Sequence, residues 1–444
     1  MKAAVFGTGS GADLAEENLS ALGFEVVAYL DNDPAQQGGT FQGRPIVRPD
    51  LASSLGCDLF LTASHAHAAM EAQLIGLGIG RERILSFPGI EDPERGLYHR
   101  LGQARYQHPR WRVLNIPLNW ACNLCCRHCI RLKHTTEWDW TLDQDTFLKL
   151  LDGFSPERFE LLAMHGGEFT LVPGLIPMLQ AAVARGWTRF SFVTNGTARD
   201  DTIFRYLLSN NLLADLFISV EAASPALYRD IRSVDFDRFT ASVRHLAGLK
   251  KTYGATGTLF FNVTCMRANL AEMADLVDLA ADLGLDAVSY VPMYTYEEAM
   301  GEMPADFPTD KLCVPGQRLS DIPRDQVLQA FARVLARSKE RGVRVLLPEA
   351  FPELSGRPRF ASTPPAAFRC FSAFEWVAVR ADGEIFPCCL HGAALPSMGN
   401  VLEKPFAEIW NGPGYTRLLS GLAPGGRPHG RCLTCPTFLG MRAV

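Results

Sequence analysis

The sequence lacks most features that would place it in a special class. No apolar run approaches the ~18–20 residues needed to span a bilayer, and the N-terminus lacks the basic-then-apolar pattern of a secretory signal. There is no internal repeat and no low-complexity tract. Positive charge is not in excess either: 43 Lys and Arg stand against 48 Asp and Glu, a formal net charge of -5. That balance gives no electrostatic case for nucleic acid or a membrane surface as partner. Without an export signal, 12 cysteines point to a reducing cytoplasm and to metal ligation rather than disulfides. What remains is an ordinary globular composition, 47% hydrophobic and 20% charged, over 444 residues. That length suggests two to four domains.

The most informative run is Trp120-Ala-Cys-Asn-Leu-Cys-Cys-Arg-His-Cys-Ile130, which places Cys122, Cys126 and Cys129 at C-x3-C-x2-C spacing. Three thiolates on one short loop can hold three irons of a [4Fe–4S] cluster, where a closed site would use four. The fourth iron is then open to a small molecule. The alternative is a zinc loop, which would want a fourth ligand and paired C-x2-C spacing. The spacing resembles the signature of the radical S-adenosylmethionine (SAM) enzymes, in which SAM occupies the open iron. That resemblance implies reductive cleavage of SAM to a 5′-deoxyadenosyl radical, which abstracts a hydrogen atom from the substrate. It also implies an electron donor such as flavodoxin or ferredoxin.

The chain around this loop reads as two successive α/β series. In the first, Lys2–Phe6, Glu25–Leu30, Asp58–Ala63 and Arg83–Phe87 read as strands and Ala12–Leu22 as an amphipathic helix, which implies a parallel sheet with right-handed crossovers. In the second, strands are expected at Arg112–Leu118, Phe159–His165, Thr188–Thr194, Leu216–Glu221, Thr258–Cys265 and Ala287–Pro292. Helical patterns at Leu142–Phe154, Pro173–Arg185, Asp235–Tyr253 and Leu270–Leu283 lie between them. Six βα units match the partial (β/α)6 barrel of the radical SAM family, with chemistry on loops at the C-terminal strand ends. The aperiodic stretch Met293–Ile322 reads as a lid or binding loop. Helix Arg324–Arg341, stopped by Gly342, and strand Val343–Leu347 follow it. The expected division is 1–92 Rossmann-like unit, 93–110 linker, 111–350 barrel and 351–444 cluster domain.

Family resemblance assigns further residues. Gly166-Gly167-Glu168 follows the second barrel strand, where the family binds the SAM amino group; a plain tight turn is the alternative. Asn195, Ser219 and Glu221 lie at the third and fourth strand ends, toward the SAM ribose, although Asn195-Gly196 is also ordinary turn chemistry. Arg232 resembles the arginine that holds the SAM carboxylate, with a solvated helix-end charge as the alternative. His128 stands where the family has an aromatic residue against adenine.

Cys370, Trp376, Asp382-Gly383, Pro387-Cys388, Gly399-Asn400, Glu408-Ile-Trp410-Asn411 and Cys432-x2-Cys435 together resemble a SPASM-type domain. With no cysteine after Cys435, that resemblance implies one auxiliary [4Fe–4S] cluster held by Cys370, Cys388, Cys432 and Cys435, making two clusters in all. Cys389 could replace Cys388, and the same four thiolates could hold zinc.

Near the N-terminus, Gly7-Thr-Gly9-Ser-Gly11-Ala12 follows a strand and opens a helix, and Asp31 closes the next strand. This is the pattern of a dinucleotide or nucleotide-sugar fold, with Gly7 and Gly9 admitting a phosphate and Asp31 accepting from a ribose. A docking domain without a ligand is the alternative. The leading expectation is a cytoplasmic radical SAM oxidoreductase or epimerase acting on a small, sugar-like or nucleotide-linked substrate. Cys313 is the candidate hydrogen donor and Cys265 the second. Rival expectations are a maturase of a ribosomal peptide and a non-catalytic iron–sulfur or zinc redox sensor.

Overall fold

The computed structural model describes residues 2–8, 12, 19, 24–63, 67–87, 111–131, 140–300, 302–348, 376–388, 395–422, 429–430 and 432. The expected linker and nearly all of the Ala12–Leu22 helix lie outside these residues.

The N-terminal unit is a six-stranded sheet in the order β3-β4-β2-β1-β5-β6. Its strands are β1 Lys2–Phe6, β2 Glu25–Leu30, β3 Thr40–Phe41, β4 Arg44–Val47, β5 Leu59–Ala63 and β6 Ile84–Phe87. Every pair is parallel except the β3–β4 hairpin, which the sequence reading does not contain. Alternate residues of β1 feed two separate cores, Ala3 and Val5 into one, Ala4 and Phe6 into the other. A strand buried on both faces is what a sheet covered on two sides requires.

The second sheet has nine strands, in the order β13-β12-β11-β10-β9-β8-β7-β14-β15. Six of them form the expected barrel series: β7 Trp111–Asn115, β8 Phe159–Ala163, β9 Phe190–Thr194, β10 Leu213–Ser219, β11 Thr258–Cys265 and β12 Ala287–Pro292. All pair in parallel with their sequence neighbours, and β13 Arg344–Leu346 extends them at one edge. At the other edge the C-terminal region contributes β14 Trp376–Val379, parallel to β7, and β15 Ile385–Phe386, antiparallel to β14. Among the described residues β13 and β15 do not pair, so the barrel is left open on one side.

Alternation along the strands separates two surfaces. Leu114, Leu162, Phe192, Ile218, Phe261 and Val288 enter the large core beneath the helices. Val113, Leu161 and Ala163 form a smaller cluster, with Trp376 against it, on the other side. Helices Thr202–Ser209 and Pro225–Arg232, absent from the sequence reading, complete the outer layer. None of the helices among the described residues is long and apolar enough to cross a membrane.

Aromatic packing joins the C-terminal region to the barrel's first strand. The Trp111 ring centroid lies 4.8 Å from Phe406 and 5.0 Å from Trp410, and Phe154 lies 5.2 Å from Phe406. Trp410 is 1% exposed. Its truncation in Trp410→Ala is expected to cost about 3–5 kcal/mol. The expected result is a lower urea midpoint for the transition of the barrel and C-terminal region.

Candidate metal and cofactor site

The loop after β7 carries Cys122, Cys126 and Cys129, none of them in a disulfide. It has no helix or strand of its own, so neighbouring segments satisfy its backbone. Its stem lies along the segment after β8: Gly167 N donates to Asn119 O, Glu168 N to Ala121 O, and the buried Asn119 Nδ2 to Glu168 O. A Cβ at Gly166 would run into the Asn119 carbonyl, and one at Gly167 into the Ala121 carbonyl. The close approach that these glycines permit is therefore to the stem of the cysteine loop.

Glu168 also has a structural role. Its buried carboxylate accepts from Thr170 Oγ1 at 2.8 Å, Thr194 Oγ1 at 2.9 Å and Asn195 N at 2.7 Å. Burial raises its pKa, and those hydrogen bonds work the other way. The carboxylate thus ties β8 to the end of β9. Asn195 serves two purposes. Its Oδ1 accepts from Thr197 N at 2.9 Å, as turn chemistry would have it, while its Nδ2 donates to Asn123 Oδ1 at 2.8 Å and lies 3.8 Å from Cys122 Sγ.

The sulfurs receive amide hydrogens from their own loop. Leu124 N lies 3.5 Å from Cys122 Sγ, and Arg131 N lies 3.4 Å from Cys129 Sγ. Such donors suit thiolates that ligate iron, because they offset negative charge on sulfur. Burial pushes the Cys126 thiol up to about 12, opposed by Arg232. Iron binding would have to displace that proton. No group of three His, Cys, Asp or Glu that could hold a single ion occurs among the described residues. Three thiols sharing one loop, with amide donors at two of them, fit a cluster in which each thiolate takes a separate iron.

Beside Cys126 lies a buried ion pair. Arg232, the last residue of helix Pro225–Arg232, is 3% exposed, and its Nη1 lies 2.5 Å from Oε2 of Glu221, itself 1% exposed. Burial opposes the charge on Arg232, but Cys126 and Glu221 hold its pKa well above the usual value. The solvated helix-end alternative is excluded. The other Glu221 oxygen lies 3.4 Å from His128 Nε2, while His128 Nδ1 is buried without a partner. Burial lowers the pKa of His128, so the ring is a neutral neighbour of the ion pair. Asn269 Nδ2 donates to the carbonyl of Glu221 at 2.8 Å and fixes the strand end. The residues expected at three different parts of SAM thus form one polar cluster behind Cys126.

Both candidate hydrogen donors are buried. Cys313 is fully buried, its Sγ 3.6 Å from the Cys129 carbonyl, and burial pushes its thiol up to about 11. Its thiol faces the main chain of the cysteine loop. Cys265 lies in the core beneath the helices, its Sγ 3.6 Å from Val263 O. The stretch Met293–Ile322 likewise acts as a strap more than a lid. Lys311 Nζ reaches the carbonyls of Cys126, Cys129 and Arg131 at 3.1, 3.1 and 2.9 Å, and Leu312 N donates to Arg127 O. No sequence pattern could have identified Lys311, because its acceptors are main-chain carbonyls 180 or more residues away.

The remaining assignments divide in the same way. Ser219 ends β10 half-buried, level with Asn262 of β11. Gly7 adopts φ +110, which favours glycine. Asp31, however, accepts from Thr8 Oγ1 at 2.5 Å and from Asp33 N at 2.9 Å. It closes a local turn and holds the Thr8 hydroxyl beside Gly7. Gly9, Cys370, Cys389 and Cys435 lie outside the described residues. Cys388 and Cys432 lie within them, partly buried.

The sequence reading also missed His165, two residues beyond β8. Its Nε2 lies 3.0 Å from Ser191 Oγ, and its ring centroid is 5.9 Å from Phe217 and 6.0 Å from Trp376. Phe217 stacks on Phe260 at 4.7 Å, and the Arg344 guanidinium lies 5.3 Å over Phe260. These side chains share the inner surface of the open barrel.

Two outcomes are expected. Arg232→Met leaves Glu221 buried without its partner and should cost about 3–5 kcal/mol. The double variant Arg232→Met, Glu221→Leu should recover much of that loss, as read by thermal unfolding of both proteins. Burial lowers the pKa of His165 to about 4, so the folded state resists a proton that the unfolded chain accepts below about 6.5. Stability from this group is therefore lost as pH falls from about 6.5 toward 4. The dependence of Tm on pH over that range should be shallower in His165→Asn.

Comparison with known proteins agrees with this geometry. Residues 119–280 match the radical SAM superfamily, residues 370–436 the SPASM iron–sulfur cluster-binding domain, and residues 1–85 a family described as C2185-like, N-terminal. The chain is 24% identical over 306 residues to the AdoMet-dependent heme synthase of Methanosarcina barkeri, covering 67% of this chain and 82% of that protein. It is 23% identical over 329 residues to the tungsten-containing aldehyde ferredoxin oxidoreductase cofactor-modifying protein of Pyrococcus furiosus, covering 69% and 82%. Its fold resembles SuiB of Streptococcus suis, solved with the precursor peptide SuiA, at TM-score 0.54 and 17% identity over 79% of this chain and 77% of that one. It also resembles anSMEcpe with bound AdoMet, at TM-score 0.50 and 16% identity over 74% and 83%. The three-cysteine loop, the parallel barrel and these matches together make the chain a radical SAM enzyme with a C-terminal SPASM iron–sulfur domain.

Proposed function

We propose that this enzyme cleaves SAM at the Cys122, Cys126 and Cys129 loop and removes a hydrogen atom from a peptide segment laid into the open barrel. When bound, the cluster and SAM together supply the electron transfer and the reactive carbon radical. The protein supplies position and exclusion of water. Glu221, Arg232 and His128 form a buried polar wall behind Cys126, and Ser219, at the end of β10 and level with Asn262 of β11, is placed for contact with SAM.

The observation that carries the substrate reading is the open inner surface. The stacked pair Phe217 and Phe260 offers an apolar shelf, Arg344 a cation at its edge, and His165 a neutral hydrogen-bonding group. An extended segment can enter a barrel whose edge strands do not close. The fold neighbour SuiB, solved with its precursor peptide, supports the same reading. Cys370, Cys388, Cys432 and Cys435 would hold the auxiliary cluster, and a closed four-thiolate site suits electron transfer, hence oxidation of the substrate.

The curated relatives named for heme synthesis and for cofactor modification favour a second reading, in which the barrel takes a cofactor precursor. A nucleotide-linked sugar has no such support.

The test is anaerobic turnover of reconstituted, dithionite-reduced protein with SAM, following 5′-deoxyadenosine by mass spectrometry. Stimulation by the peptide fraction of a host extract is expected, and Cys126→Ala should abolish it. Stimulation only by the small-metabolite fraction would replace the peptide with the cofactor precursor. No 5′-deoxyadenosine from the wild type under any condition would overturn the reading.

A further inference from the structure

Lys311 is 7% exposed, yet no carboxylate among the described residues pairs with it. Its ammonium instead lies within hydrogen-bond reach of three carbonyls of the cysteine loop, those of Cys126, Cys129 and Arg131. Carbonyl dipoles satisfy its hydrogens but do not neutralise its charge, and an uncompensated buried charge is costly. The described residues around it do not supply the missing anion. Glu221 is already matched by Arg232, and Arg127 is matched by Asp230. Among the described residues one positive charge is left over, on the back of a loop that presents three cysteines.

We propose that Lys311 is a positioning residue whose charge is balanced by the cluster thiolates and makes the cluster at Cys122, Cys126 and Cys129 easier to reduce. The inference rests on the function proposed above, since it requires iron at that loop. Reduction adds one electron from a low-potential donor; no bond forms or breaks in the step. The electron goes to a site already carrying three thiolates, so mutual repulsion opposes it. A cation held in a low-dielectric interior offsets that repulsion far more than one in water would. The strap fixes the cation there: Leu312 N donates to Arg127 O, and Arg127 Nε donates back to Asp310 O at 2.7 Å.

The test compares the wild type with Lys311→Met, which removes charge and donors, Lys311→Gln, which removes charge but keeps an amide donor, and Lys311→Arg, which keeps the charge. Iron and sulfide are assayed, and the midpoint potential of the first cluster is taken from a redox titration followed by EPR. The signal of a Cys122→Ala, Cys126→Ala, Cys129→Ala variant identifies the C-terminal centre for subtraction. Both neutral variants are expected to shift the reduction equilibrium about tenfold toward the oxidised state, some 59 mV for one electron. The arginine variant is expected to stay near the wild type. If the methionine variant loses iron, the glutamine variant carries the measurement. Loss of first-site iron from both neutral variants with retention by arginine also supports the proposal. A wild-type potential in a neutral variant overturns it, as does loss of iron from all three. A wild type that shows no first-site cluster refutes the functional reading itself, and the two failures are thereby told apart.

Discussion

A loop that must expose three sulfurs cannot also fold into a helix or strand that would satisfy its own backbone. Everything around residues 119–131 answers that constraint. The stem pairs with Gly167 and Glu168, Arg127 N donates to Ile231 O, and Lys311 gathers three carbonyls at the far end. Glu168 in turn binds Thr194 and Asn195, so the second and third strand ends are fixed to the same stem. The residues that hold the loop thus come from most of the barrel's circumference.

This arrangement explains which parts of the site the sequence disclosed. The cysteine spacing, the glycine pair and the strand-end acids lie close to regular elements, where period and position carry information. Strands Thr258–Cys265 and Ala287–Pro292 and helix Arg324–Arg341 match their sequence reading end for end, and Gly342, in the left-handed region, stops the helix where its residue type says it should. Helix Pro225–Arg232 was hidden by its shortness and its mean polarity; the capping of Ser224 by Glu272, far along the chain, is what fixes its start. Arg232 looked equally suited to solvent or ligand, and only its pairing with Glu221 decides the matter.

The surroundings of Cys313 stay hidden in the sequence for a related reason. Sequence places a thiol on a long loop near the active face, but it cannot say which side of that loop meets the cysteines. Lys311 and Cys313 both turn to main-chain carbonyls, which are the same at every residue and leave no mark in side-chain pattern. Asp31 is the opposite case: its place at a strand end is plain in the sequence, while its bonds to Thr8 and to its own turn are not.

The pairing of β14 with β7 sets an order on the making of the protein. Strand β7 leads directly into the cysteine loop, and its outer neighbour is Trp376–Val379, near the far end of the chain. During synthesis the barrel can assemble from β7 to β13 while β7 remains an unprotected edge, open to pairing with other chains. The hazard ends only when the C-terminal region emerges and Trp376–Val379 docks. Iron delivered before that moment would enter a loop whose supporting strand still lacks its outer neighbour.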